Sequence, residues 1–454
     1  MWSKGGFLTV LKEQRVDLLD FLTRVKVALG QPSVFIFLAV GIILTFKMKF
    51  LQFRGIPRFF SFLKGGVKRE QEGEVKTISS LHAMFAAMAT SLGMGNIIGP
   101  SIAIIAGGPG ALFWLVAYMF FGGITRFTEV TLALHTREKT KEGNIISGPT
   151  QYLRLVSKWV ANWYGIIMIV TFAVWSGVQS NALASILVKE AVPKWSVGLV
   201  LAVIVLIVLH GGAKRVGWVS SKLVPVMCFL YISFSLLIIF KDIVALKNAL
   251  YLIFTSIFTP RAAVGGVIGG TIFSAMREGI FQSIYITEAG MGTASIPHSM
   301  ANVKNPVDQG LVAMYSMVAD AMLSFMSGLL VIVTGIWMVT TKPDSTLVYE
   351  VFKMNAPHLG KFVLIISITL FVISTVIGNS FNGTQSFASL TKHRYLEFYK
   401  IFTAFAIFSG ALLSMPLVWT LVSIIITFVA VPNVICLAIL AFKKSSYFKI
   451  KNTG

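Results

Sequence analysis

The chain of 454 residues is 56% hydrophobic and only 13% charged, about half the charge density of an ordinary soluble domain. Its net charge of +21 lies mostly in short loops between apolar runs, a positive-inside pattern that argues against a nucleic-acid partner. The two cysteines, Cys228 and Cys436, both sit in apolar stretches, which excludes a disulfide framework and a cysteine metal site.

In chain order, an N-terminal segment 1–30 comes first, with residues 5–29 read as an amphipathic helix on the membrane surface. It carries no short apolar region with a cleavage site, so the first span is expected to be retained. Eleven spans are predicted near residues 32–53, 79–106, 110–136, 162–188, 196–211, 218–240, 264–290, 308–340, 361–390, 398–414 and 417–442. Their apolar runs approach the ~20 residues that cross a bilayer as a helix. Residues 243–258 read as a re-entrant or interfacial piece. Alternating the loops from 47–77 places 24 Lys and Arg on one side and 13 on the other. That asymmetry predicts an external N-terminus and a cytoplasmic C-terminus.

Two spans are interrupted. The second carries Gly93-Met94-Gly95-Asn96 at its middle and Gly99-Pro100 soon after, residues that weaken or break a helix. The seventh carries Gly265-Gly266, Gly269-Gly270 and then Arg277-Glu278-Gly279. The two breaks lie five spans apart, as expected of two inverted five-helix repeats, each with a broken first helix. The implied divisions are a leading helix at 31–54, repeats at 78–242 and 264–442, and a basic tail at 443–454. Ordinary kinked helices with small-residue packing faces are the bland alternative.

A break in mid-membrane leaves backbone groups without helical partners, which is tolerable only beside a cavity or ligand. A new helix N-terminus at Gly95–Asn96 offers free N–H groups to a carboxylate. The carbonyls near Ala89 and Leu92 point the other way and suit a hard cation such as Na⁺. In the ninth span Ser374 and Thr375 offer neighbouring hydroxyls, which either complete a five-oxygen cation cage or back-bond to their own helix. Gln179 sits in a polar cluster of the fourth span, as an interhelical hydrogen-bond partner or a substrate contact. Arg126, Glu129, Arg277, Glu288 and Asp320 are ionisable residues inside spans, read as structural or gating pairs. Arg126 and Glu129 are spaced to pair along one helix, and Asp320 is the best candidate for a proton or cation site. The six histidines show no metal-site spacing. The chain has no P-loop Gly-Lys-Ser/Thr, which argues against ATP-driven transport.

From about residue 35 to 442 the sequence resembles the alanine or glycine:cation symporters (sodium:alanine symporters), within the LeuT-type fold. The matching stretches are Gly93-Met94-Gly95-Asn96-Ile97, Ala106–Trp114, Thr128–Ala133, Gly148–Tyr152, Glu288–Gly292 and Val431-Pro432-Asn433. The resemblance implies an all-α polytopic membrane protein with ten core helices in two inverted repeats and one extra leading helix. It implies a substrate held by Met94, Gly95, Asn96, Gln179, Phe273 and Asn379. It implies a sodium site formed by Ala89, Leu92, Phe371, Ser374 and Thr375. The chain departs from the family pattern at Asn379, where a tryptophan is usual, at Ile286-Thr287 before Glu288, and at Gln282-Ser283. The function so implied is sodium-coupled uptake of a small neutral amino acid, alanine or glycine, by a multi-pass protein of a prokaryotic cell membrane. No enzymatic activity and no organic cofactor are expected. A proton-coupled or exchange-type carrier, or a non-transporting sensor on the same fold, are the competing functions, and oligomeric state is open.

Overall fold

A computed structural model describes residues 4–66, 77–140, 143–257, 272–339, 347–413 and 415–449. The helices that organise it are α1 (Lys4–Lys47), α2 (Ser80–Ser91), α3 (Met94–Gly107), α4 (Gly110–His135), α5 (Lys158–Leu187), α6 (Lys194–His210) and α7 (Gly212–Phe240). They continue with α8 (Ile243–Thr255), α9 (Ile272–Thr287), α10 (Pro306–Val333), α11 (Leu359–Thr391), α12 (Leu396–Leu412) and α13 (Met415–Lys443).

By length and composition seven of the described helices can cross a membrane, and the bent α2–α3 pair makes eight. The expected eleven is therefore not confirmed as a number. Helices α6 and α12 have 17 residues each, or about 25 Å at 1.5 Å per residue. Large apolar side chains stand exposed along the outer faces, among them Phe229 on α7, Leu237 on α7 and Phe405 on α12, as lipid contact requires.

Helix packing carries an internal twofold pattern. Taking α2–α3 to α7 as one set and α9 to α13 as the other, equivalent helices pack on each other: α3 on α9, α4 on α10, α5 on α11 and α6 on α12. The cross-contacts come in matched pairs, α3 with α10 and α9 with α4, then α5 with α12 and α11 with α6. Contacts of α7 with α11 are mirrored by those of α13 with α5. Outside this pattern, α1 packs on α13 and α4.

Two expectations about the N-terminal region change. The surface segment and the leading span are one continuous 44-residue helix, with Pro32 inside it. A proline inside a span removes one backbone bond without ending the helix when its neighbours re-satisfy the turn. The leading helix also ends at Lys47 and not at 54, because Phe50 turns left-handed at φ 53° and starts a separate short helix, Leu51–Arg54. The segment read as re-entrant or interfacial forms α8, whose 13 residues span about 20 Å. Its cap is Asp242, which accepts the Ala245 N–H at 2.8 Å.

Candidate functional site

The second span is broken as its composition predicts. Helix α2 stops at Ser91, α3 starts at Met94, and the two are bent by 44°. Leu92 and Gly93 are extended. Gly93 is needed for close approach: a Cβ there would lie 2.6 Å from the Thr375 hydroxyl. The new helix begins at Met94, slightly earlier than the expected Gly95–Asn96, because the Asn96 side chain caps it. Asn96 Oδ1 accepts the Gly93 N–H at 3.0 Å, and Gln179 Oε1 of α5 accepts the Met94 N–H at 3.3 Å. Of the two readings offered for Gln179, the interhelical hydrogen bond is the one present, and it is made to the break itself.

On the other side of the break, four of the five candidate cation ligands form one cluster. Thr375 Oγ1 donates to Leu92 O at 3.1 Å and to Phe371 O at 2.8 Å. Ser374 Oγ donates to Phe371 O at 2.9 Å and touches the Met227 sulfur at 3.3 Å. The hydroxyls thus back-bond to their own helix, while Thr375 also reaches across to α2. The fifth, Ala89, sits beside α11 where Gly378 lacks a side chain: a Cβ there would lie 3.3 Å from the Ala89 carbonyl carbon.

The stretch Gly265–Gly270 of the seventh span lies outside the described residues. From Ile272 to Thr287, α9 is continuous through Arg277-Glu278-Gly279. It ends in a turn with Glu288, Gly290 and Gly292 at φ 55°, 91° and 85°. Helices α3 and α9 run antiparallel, with Gly95 facing Tyr285 and Ile286 and Gly107 facing Ser274 and Ala275. Phe273 is therefore on the first turn of α9, about 18 Å along the axis from the residues that face the break. The structure does not bring it to Gly95.

The Arg126–Glu129 pair expected along α4 is not the one formed. Arg126 Nη1 instead reaches Asp320 Oδ2 on α10 at 3.2 Å, both side chains fully buried. Asp320 Oδ2 also accepts from Ser91 Oγ at 3.3 Å, and Oδ1 from Asn96 Nδ2 at 3.4 Å. One carboxylate therefore holds the last residue of α2 and the first turn of α3. In a low-dielectric interior an ionised carboxylate needs such a cation and donor set, and Glu129 has other duties. Its Oε1 accepts the Gly292 N–H at 2.8 Å and Asn433 Nδ2 at 3.2 Å.

That last contact belongs to a hub that the separate motifs did not reveal. Asn433 Nδ2 also donates to Gly290 O at 2.8 Å, and Tyr152 OH donates to Asn433 Oδ1 at 2.8 Å. Tyr164 OH bonds to Met291 O, and Thr293 to the Glu288 carboxylate. The stretches around residues 129, 152, 290 and 433 thus converge on the turn that follows α9 and hold it in its left-handed conformation.

The family model described as the sodium:alanine symporter family matches residues 17–451. A sodium/alanine symporter of Methanococcus maripaludis, AgcS, is 30% identical over 424 residues, 91% of this chain and 92% of that one. A probable sodium/glutamine symporter of Bacillus subtilis, GlnT, is 30% identical over 413 residues, 89% and 84% of the two chains. Among solved structures, MhsT in complex with L-phenylalanine matches with a TM-score of 0.61 at 13% identity, over 84% of this chain and 94% of that one. The likeness is one of fold, the LeuT-type arrangement of inverted five-helix repeats. With the broken span, the paired helices and these matches together, the chain belongs to the sodium:alanine symporter family, a family of transporters and not of enzymes.

Proposed function

We propose that this protein couples sodium entry to uptake of a small neutral amino acid, alanine or glycine among them, by alternating access around the α2–α3 break. The observation that carries the reading is the meeting of opposite backbone polarity at one place. Carbonyl and hydroxyl oxygens of Leu92, Phe371, Ser374 and Thr375 gather at the end of α2, where a half-helix C-terminus favours a cation. Two residues on, the N-terminus of α3 favours a carboxylate. Met94, Gly95 and Asn96 would hold that group, with Gln179 and Asn379 beside it. A cation in the cage would fix Leu92 and so preorganise α3 for the amino acid.

The energetics suffice with one ion. One charge moving down ~100 mV supplies about 2.3 kcal/mol, which at ~1.4 kcal/mol per decade sustains roughly fifty-fold accumulation. The protein would sit in a prokaryotic cell membrane with its C-terminus cytoplasmic, as the basic-residue asymmetry implies. Uptake of radiolabelled alanine or glycine into proteoliposomes should require an inward sodium gradient. Uptake indifferent to both sodium and pH counts against symport. Asp320 favours a second reading, proton coupling, because this buried carboxylate touches both halves of the broken helix. Uptake driven by a pH gradient in sodium-free buffer would select it.

A further inference from the structure

Asn379 lies on α11 one turn beyond Thr375 and just under a turn before Asn382, so the three share one stripe of the helix. At one end of that stripe Thr375 bonds to Leu92 O at 3.1 Å. At the other, Asn382 Nδ2 donates to Thr293 O at 3.4 Å, in the turn after α9. The neighbouring Gly378 packs on α2, where a Cβ would come within 2.6 Å of Thr90 Cγ2. The next residue, Ser380, lies 3.5 Å from Ser176 of α5, the helix that brings Gln179 to Met94. Asn379 therefore stands between the break and the turn after α9, beside the N-terminus of α3.

Its side chain is fully buried, and among the described residues neither Nδ2 nor Oδ1 has a hydrogen-bond partner. Buried primary amides are nearly always satisfied, and leaving both ends unmade is more costly than replacing the residue by an apolar one of similar shape. A partner for this amide must present an acceptor to Nδ2 and a donor to Oδ1.

We propose that Asn379 is a side-chain selectivity residue, favouring neutral amino acids whose side chain both accepts and donates a hydrogen bond, a hydroxyl or a carboxamide, over apolar side chains of equal size. The inference rests on the amino-acid reading of the break: with the α-carboxylate at the start of α3, a substrate side chain directed at α11 meets the Asn379 amide. Alanine and glycine leave the amide unsatisfied and bind more weakly than their polar counterparts. A site built around a hydrogen bond discriminates sharply against an analogue that cannot make it, because its own polar group is then stranded.

The test uses the full chain in proteoliposomes with an inward sodium gradient and radiolabelled alanine or serine. Two size-matched competitor pairs are compared: serine with 2-aminobutyrate, and asparagine with leucine. The expected result is that the polar member of at least one pair inhibits at a tenfold or more lower concentration, and that Asn379→Leu brings that ratio to one or below. Equal inhibition within both pairs for the unmodified chain overturns the proposal and leaves solvent as the partner of the amide. So does an Asn379→Leu protein that keeps the original ratio. Should Asn379→Leu not fold, Asn379→Ala is read in the same way. Sodium-driven uptake with flat competitor ratios defeats the selectivity alone, whereas no sodium-driven uptake of either amino acid defeats the amino-acid reading and this inference with it.

Discussion

Replacing Thr375 by valine removes one hydroxyl and leaves the shape of the side chain nearly unchanged, so α11 can still pack on Gly93. Without sodium the loss is one neutral hydrogen-bonding group, shared between Leu92 O and Phe371 O. That costs about 1 kcal/mol of folding stability. With sodium bound, the same oxygen is a ligand to a charge, and such interactions contribute about 1.5–3 kcal/mol. The difference between the two states, about 0.5–2 kcal/mol, should lower sodium affinity roughly two- to thirty-fold at ~1.4 kcal/mol per decade. The assay is amino-acid uptake titrated with sodium, run beside thermal unfolding of the detergent-purified protein. The expected outcome is a several-fold rise in the sodium concentration giving half-maximal uptake with a small drop in Tm. A lowered Tm with an unchanged sodium requirement would refute Thr375 as a cation ligand and leave it a packing residue.

Other substitutions probe the surrounding structure. Asp320→Asn strands the buried Arg126 and should destabilise the protein by about 3–5 kcal/mol, read by thermal unfolding. Adding Arg126→Leu removes the stranded charge and leaves an amide oxygen at position 320 for Ser91 and Asn96, so most of that loss should be recovered, and equal Tm values for single variant and wild type would contradict the pair. Gly93→Ala places a Cβ 2.6 Å from the Thr375 hydroxyl, so overpacking of about 1–3 kcal/mol is expected. Adding Thr375→Ala should relieve it, and no relief would mean the strain lies elsewhere. Asn433→Ala takes one donor from Glu129 and the acceptor from Tyr152. A stability loss of about 1–3 kcal/mol per stranded group is expected, and an unchanged Tm would show that the hub does not hold the turn after α9.

What could be read from the chain follows the physics of each signal. The break at Gly93 was legible because Gly-Met-Gly-Asn inside an apolar run is a local contradiction that only an unwound helix resolves. The oxygen cluster was legible through Ser374 and Thr375, whose hydroxyls are conspicuous in an apolar helix. The partner of Arg126 was not. Spacing offered Glu129, three residues away on the same helix, whereas Asp320 lies 194 residues on and wins through a contact between helices. The role of Asn433 was equally hidden, since nothing near it in sequence names Glu129, Tyr152 or Gly290. Phe273 was assigned by resemblance, and the antiparallel register of α3 and α9 sets it far from Gly95. The continuity of α1 through Pro32 was missed because proline is a weaker stop signal in a span than in water.

A cation and an amino acid that meet at the two faces of one unwound segment each bind more tightly when the other is present. Equilibrium binding of radiolabelled amino acid to the purified protein, repeated at increasing sodium, measures that coupling without any requirement for flux. Sodium should lower the amino-acid Kd, and saturating amino acid should lower the sodium Kd by the same factor, as linkage demands. An amino-acid Kd that stays constant from sodium-free buffer to saturating sodium would contradict the coupling.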